Sequence, residues 1–252
     1  TVTAVQRITK AGLTVVGVRD PYGPEDVRSV RPRSILTTTG TSAPTLSIEA
    51  NNITINSVTL RPTSGFSAVQ FRNASPLGTI FHRCYFDMET ANPSLGTYGI
   101  DFGYRADTST AAGDSIAKHG AVTTLATAYI SACAFVAQGA QGRALDIATA
   151  HVTVKDCWIH NTAGAWATPF AMATASDHCV VENTVWTTSG TMGSCIDGTT
   201  ADVADGLHII NCRFPRTGVI TSGLVVDNFG SNEAQITESY QEGNATAVTT
   251  IT

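Results

Sequence analysis

The chain is poor in charge. Of 252 residues only 14% are Asp, Glu, Lys or Arg, and the net charge is −5. No basic run occurs, which argues against nucleic acid as a partner, because phosphate binding needs clustered Lys and Arg. No apolar run approaches the roughly 20 residues of a membrane-spanning helix, so no membrane association is expected. The chain opens at Thr1 without a signal-peptide pattern. Six cysteines are present, but none forms a CxxC pair or a Cys-His cluster, so no metal site is expected. A core of this size does not need a disulfide scaffold either. Free thiols fit assembly in a reducing cytoplasm. Hydrophobic residues nonetheless reach 42%, which suits a packed fold rather than disorder. What the chain has in quantity is repetition.

The unit is clearest in Ala144–His160, ALDIATAHVTVKDCWIH. It holds three short segments, Leu145–Ile147, Val152–Val154 and Cys157–Ile159, each with apolar ends and an outward middle residue. That is the period-2 pattern of strands with one buried face. The second and third segments recur together as ITINSVTL (from Ile53), TIFHRCYF (Thr79), AYISACAF (Ala128), VTVKDCWI (Val152), CVVENTVW (Cys179), LHIINCRF (Leu207) and AQITESYQ (Ala234). The sixth place in these copies is Val58, Cys84, Cys133, Cys157, Thr184, Cys212 and Ser239, a column of small inward residues. The first segment recurs as LSI (Leu46–Ile48), VQF (Val69–Phe71), IDF (Ile100–Phe102), LDI, AMA (Ala171–Ala173), IDG (Ile196–Gly198) and LVV (Leu224–Val226). Two interleaved series with a common period of about 25 residues and no helical periodicity describe an all-β solenoid, a parallel β-helix with three short strands per coil. The cysteines then pack as small buried hydrophobes.

These residues resemble the right-handed parallel β-helix of the pectate-lyase-like superfamily. In that family a two-residue bend joins the second and third strands and often carries Asn at its second position. Asn183 and Asn211 stand there in this chain, while Ser57, Arg83, Ala132, Asp156 and Glu238 replace it in the other copies. The resemblance covers about Leu46–Thr252. The superfamily includes lyases, hydrolases, bacteriophage tailspikes and virion decoration proteins, so it implies a fold and leaves the activity open.

The remainder is read against that scaffold. Residues 1–45 are expected to form a cap and irregular first coils, with a short helix over Thr3–Ala11, a strand over Leu13–Val18 beneath it and a Pro- and Gly-rich excursion over Arg19–Arg33. Residues 46–252 form the regular stack. The step from Cys84 to Cys133 is 49 residues, nearly twice the period, which places an insert at about 104–127, either a loop laid over the side of the stack or a degenerate coil. Thr246–Thr252 starts another coil, whose rung is expected to be covered by a partner or by further chain.

Two sets of outward residues carry the functional candidates. The first strands present Ser47, Gln70, Asp101, Asp146, Met172, Asp197 and Val225. With 104–127 as an insert, Asp101 and Asp146 fall on adjacent coils, with Cα atoms about 5 Å apart. Such a pair raises one pKa or attracts a cation. The resemblance implies acid-base or calcium-assisted cleavage of a glycan for Asp101, Asp146 and Asp197, with Lys118 or His119 of the insert in reach and Ca2+ as the cofactor of that alternative alone. The simpler reading is a solvated polar face. Arg213-Phe214-Pro215-Arg216 is similar to an arginine-proline-arginine motif of pectate lyases over four residues only, and the adjacent Asp-Asp and Gly-His-Gly motifs of polygalacturonases are absent.

The third strands present Thr59, Tyr85, Ala134, Trp158, Val185, Arg213 and Tyr240, flanked by Ile80, Tyr129 and Val180. An apolar and aromatic stripe of this kind marks a subunit interface first, a set of sugar-stacking platforms second, and a strip covered by the protein's own loops third. Tyr85, Tyr129, Trp158, Val185 and Tyr240 are the candidates for interface or glycan contact. His82, His151, His160, His178 and His208 lack ligand spacing and read as surface or bend residues.

Taken together, the expectation is a non-enzymatic structural or binding protein of a bacteriophage virion, either a capsid decoration or a tail spike or fibre component. By the same resemblance it forms a trimer, contacts other virion proteins or a cell-surface polysaccharide, and requires no cofactor. A polysaccharide lyase or glycoside hydrolase acting on an acidic glycan is the alternative, and a secreted β-helix adhesin is a second.

Overall fold

A computed structural model describes residues 6–18, 31–37, 44–62, 67–72, 77–89, 98–105, 127–138, 143–147, 149–172, 178–198, 206–222, 225–227 and 234–242. Over these residues the chain winds as a right-handed parallel β-solenoid with coils of about 27 residues. Three sheets of eight strands form its sides, and in each sheet the strands stack in chain order. The first sheet runs from Gln6–Ile8 to Val226–Asp227, the second from Thr14–Val16 to Ala234–Thr237 and the third from Ile35–Thr37 to Tyr240–Gln241. A short fourth side, Ala165–Trp166 paired with Thr191–Met192, turns Trp166 and Met192 into the interior.

The period-2 pattern builds this directly. Inward residues of matching positions lie above one another and fill one continuous core. Adjacent coils stack ring on ring. Phe86 lies on Phe135 at 4.3 Å between centroids, Phe71 on Phe102 at 5.1 Å and Trp186 on Phe214 at 4.9 Å. Offset aromatic stacking adds to the gain from burial.

The two-residue bend has one geometry throughout. Ser57, Arg83, Ala132, Asp156, Asn183, Asn211 and Glu238 all adopt left-handed backbone, with φ between 49° and 55°. That conformation costs non-glycine residues about 1–2 kcal/mol. In return, each of the first six bend N–H groups donates to a carbonyl of the next coil, at 3.0–3.1 Å. Asn tolerates this conformation best. Asn211 also donates to Asn183 at 2.7 Å, and Asn183 to Asp156 at 3.1 Å, so a short side-chain ladder forms on the outside.

The residue after the bend points inward, which explains the cysteine column. Cys84, Cys133, Cys157 and Cys212 are buried free thiols, and each donates to the carbonyl two residues earlier at 3.3–3.5 Å. Thr184 and Ser239 do the same with hydroxyls at 3.1 and 3.0 Å. Six of the seven places in the column thus hold a small side chain that can donate, Val58 being the exception, a pattern hidden from a reading of these residues as small hydrophobes. Burial pushes the Cys195 thiol well up and the Cys212 thiol up to about 12.

Three expectations need correction. Within the expected Thr3–Ala11 helix, Gln6–Ile8 is a strand paired with Leu46–Ile48, because Ile8 stacks inward over Ile48 and Arg7 pairs outward with Glu49 at 2.7 Å; residues 3–5 lie outside the described residues. Thr14–Val16, within the expected strand over Leu13–Val18, pairs with Thr54–Asn56 in the second sheet. Two first-strand copies are also shifted, one by one residue and the other by two. The strand is Phe170–Met172, which buries both Phe170 and Met172, so Ala171 and not Met172 points outward. In the last coil Asp227, not Val225, is the partner of Asp197.

Candidate functional site

The outer face of each sheet is a candidate site, and the three differ. On the first sheet the outward row is Arg7, Ser47, Gln70, Asp101, Asp146, Ala171, Asp197 and Asp227. Asp101 and Asp146 are Cα partners on adjacent coils. They are not on a solvated face, however. Asp101 is 0% and Asp146 1% exposed, and Ser47, Gln70 and Ala171 beside them are buried too. Arg143 Nη1 donates to Asp146 Oδ1 at 2.8 Å and the same guanidinium lies 6.0 Å from the Tyr98 ring centroid. Asp197 and Asp227 are half-buried. Chemically, the central pair is a covered acidic layer with one carboxylate held by an arginine, and in this conformation a soluble polymer cannot touch it. Lys118 and His119 lie outside the described residues.

On the third sheet the expected stripe is a true register row through Thr59, Tyr85, Ala134, Trp158, Val185, Arg213 and Tyr240. Its first half is closed over. Tyr85, Ala134 and Val136 form a buried cluster against Trp158, and the Arg31 guanidinium sits 4.5 Å above the Tyr85 ring. Tyr85, only 3% exposed, has its hydroxyl pushed up to about 12, first by burial. Beside it the buried Asp87 accepts from Arg61 Nε at 2.9 Å and Arg31 Nη1 at 3.2 Å, and Arg31 also reaches Glu89 at 3.0 Å. This network ties residues 31–37 down across two coils.

Further along, Trp158 stacks on His160 at 4.8 Å, and both bond Thr187 Oγ1 at 2.8 Å. Burial lowers the His160 pKa. Val185 is half-buried and Tyr240 exposed. Arg213 pairs with Glu242 at 2.7 Å. Its place on the third sheet keeps it away from the first-sheet acids, so the four-residue lyase-like motif and the carboxylates are not brought together.

On the second sheet the outward rows stay open. Tyr129 is 40% and Ile80 37% exposed. Gly78, Ile80, Thr127, Tyr129, His151 and Thr153 line most of an open concavity of about 650 Å3. The neighbouring row pairs His82 Nδ1 with Ser131 Oγ at 2.7 Å and Lys155 Nζ with Glu182 Oε1 at 2.9 Å. His151 and His178 belong to a second left-handed bend row that also includes Gly12, Asn52, Gly78 and Gly206, and their rings stack at 5.4 Å. Sequence reading missed this row; its signal was the recurrence of Gly, Asn or His just before six of the eight second-sheet strands. Among the described residues no three His, Cys, Asp or Glu side chains are grouped to hold a metal ion.

Comparison of the chain with protein-family models, with curated proteins and with solved structures gives no match. The functional reading therefore rests on the geometry above.

Proposed function

We propose that the chain is a structural and binding protein without catalytic activity, a rigid solenoid segment of a bacteriophage virion that serves as a spike, fibre or capsid decoration component and assembles as a trimer. One observation carries this reading. The acid pair on which cleavage chemistry would depend, Asp101 and Asp146, is covered by the protein itself, whereas the open outer face of the second sheet is partly apolar and its outward strand residues carry one charge pair, Lys155 with Glu182. The six buried free thiols suit folding in a host cytoplasm before incorporation into particles. Stacked rungs supply the rigidity. Two measurements test the proposal. Light scattering should give the mass of three chains, and mass spectrometry of purified particles from the source culture should find the chain; a monomer absent from particles would overturn it. Incubation with acidic polysaccharides should release no product. Release by the wild type that is lost in Asp146→Asn would establish the lyase or glycosidase alternative, with Ca2+ dependence marking the lyase.

A second reading, favoured by the concavity at Tyr129, is a face for cell-surface polysaccharide on a secreted adhesin, an extracellular protein. Retention on a glycan array that is lost in Tyr129→Ala, together with secretion of the chain, would favour it.

A further inference from the structure

We propose that the outer face of the second sheet is where copies of this chain meet, three of them turning it toward a common axis. This inference rests on the trimer proposed above and assigns its contact surface. Three observations converge on that face. First, it is open along most of its length, whereas the first-sheet face is buried from Ser47 to Ala171 and the third-sheet face from Thr59 to Ala134, opening only from Trp158 on to the exposed Tyr240. Second, its exposed side chains are those an interface core uses, Tyr129 and Ile80 above an open concavity, with half-buried Val180 and Ile210 in the next coils. Third, it is electrically neutral. The only full charges among its outward strand residues are Lys155 and Glu182, bonded to each other at 2.9 Å. Identical chains of net charge −5 approach most readily where the local charge cancels, which makes a second copy a fitting occupant.

Eight strands at about 4.8 Å and six residues from bend to bend at about 3.3 Å give a face of about 34 by 17 Å. A three-fold axis divides that face between two neighbours, so each contact is smaller than the ~800 Å2 per partner of a standard interface.

The test is the mass in solution at one fixed concentration. Tyr129→Arg and Thr153→Arg each place a charge on the face without touching the core, and each should cut the mass to a third while the far-UV circular dichroism stays that of the wild type. Trp158→Arg, on the third sheet, should remain a trimer. An amine-reactive cross-linker on the wild type should yield a Lys155–Lys155 product, which can arise only between copies, and this measurement does not depend on any variant folding. Trimeric Tyr129→Arg and Thr153→Arg, dissociation by Trp158→Arg alone, or absence of the Lys155–Lys155 product from a trimeric wild type would overturn the assignment while leaving the trimer intact. A trimeric Tyr129→Arg that has lost only polysaccharide retention would give the face to a glycan instead. A monomeric wild type would overturn the trimer and this surface together.

Discussion

Asp146 and Thr153 stand seven residues apart on the same coil, and both point out of their sheets. One is 1% exposed and the other lies on an open surface. The first sheet carries in its middle an acid pair, Asp101 and Asp146, covered by the protein's own chain. The second carries a neutral row facing solvent. The interior beneath them is the same continuous packing. Alternation along a strand thus decides which side of the sheet a residue takes, while what is laid over that side decides whether the residue meets water. A carboxylate sealed in this way becomes part of the structure. A tyrosine left open becomes a surface.

Substitutions separate the two faces from the core they share. Phe135→Ala, which removes the partner of Phe86, should cost the most, about 3–5 kcal/mol, read as a lowered denaturant midpoint with the slope unchanged. Asp146→Ala leaves Arg143 without its carboxylate inside a covered layer and should cost about 2–3 kcal/mol. Thr153→Ala, at an outward position of the same coil, should stay within about 0.5 kcal/mol. Equal losses for Asp146→Ala and Thr153→Ala would erase the distinction between the faces.

Alkaline pH probes the shared interior. The Cys212 thiol titrates at about 12 in the folded chain against an ordinary 9.0, so its contribution is complete below pH 9 and declines as pH rises toward 12, where the unfolded thiol ionises first. Stability curves for wild type and Cys212→Ala should converge over that window, and Ellman's reagent should find no reactive thiol before unfolding. The smallest expected effect is a gain. Ala132 holds the left-handed bend without a polar side chain, so Ala132→Asn, beside Asp156 on the next coil, should raise stability by up to about 1 kcal/mol, measured as a rise in melting temperature.

Most of the architecture was legible because the inward positions obey one rule in every coil. Large apolar residues at the strand ends and a small residue after the bend identify the coil even where strands are three residues long. Legibility failed where two choices of strand each kept apolar residues inward. Ala171–Ala173 satisfies the pattern, but Phe170–Met172 buries two larger side chains and so prevails, which moves Ala171 into the acidic row. The expected helix over Thr3–Ala11 failed for a related reason: Val5 and Ile8 fit a helical spacing, yet the edge of Leu46–Ile48 offers Gln6–Ile8 backbone partners that an isolated short helix lacks. For the candidate site, the sequence placed Asp101 beside Asp146 and aligned Tyr85, Trp158, Val185 and Tyr240 in one row. It did not reveal that the acids and Tyr85 lie under cover, since the residues above them, Arg143 and Arg31 among those described, come from outside the repeat.

By itself the sequence determined the coil: its period, its three sides, the inward column of cysteines and the neighbours each residue has on the coils above and below. These follow from alternation and recurrence, which are local and readable in one dimension. Only the tertiary structure decided which outward rows are covered, because a side chain such as Arg31 reaches its row from two coils away, and no periodicity records where it comes to rest.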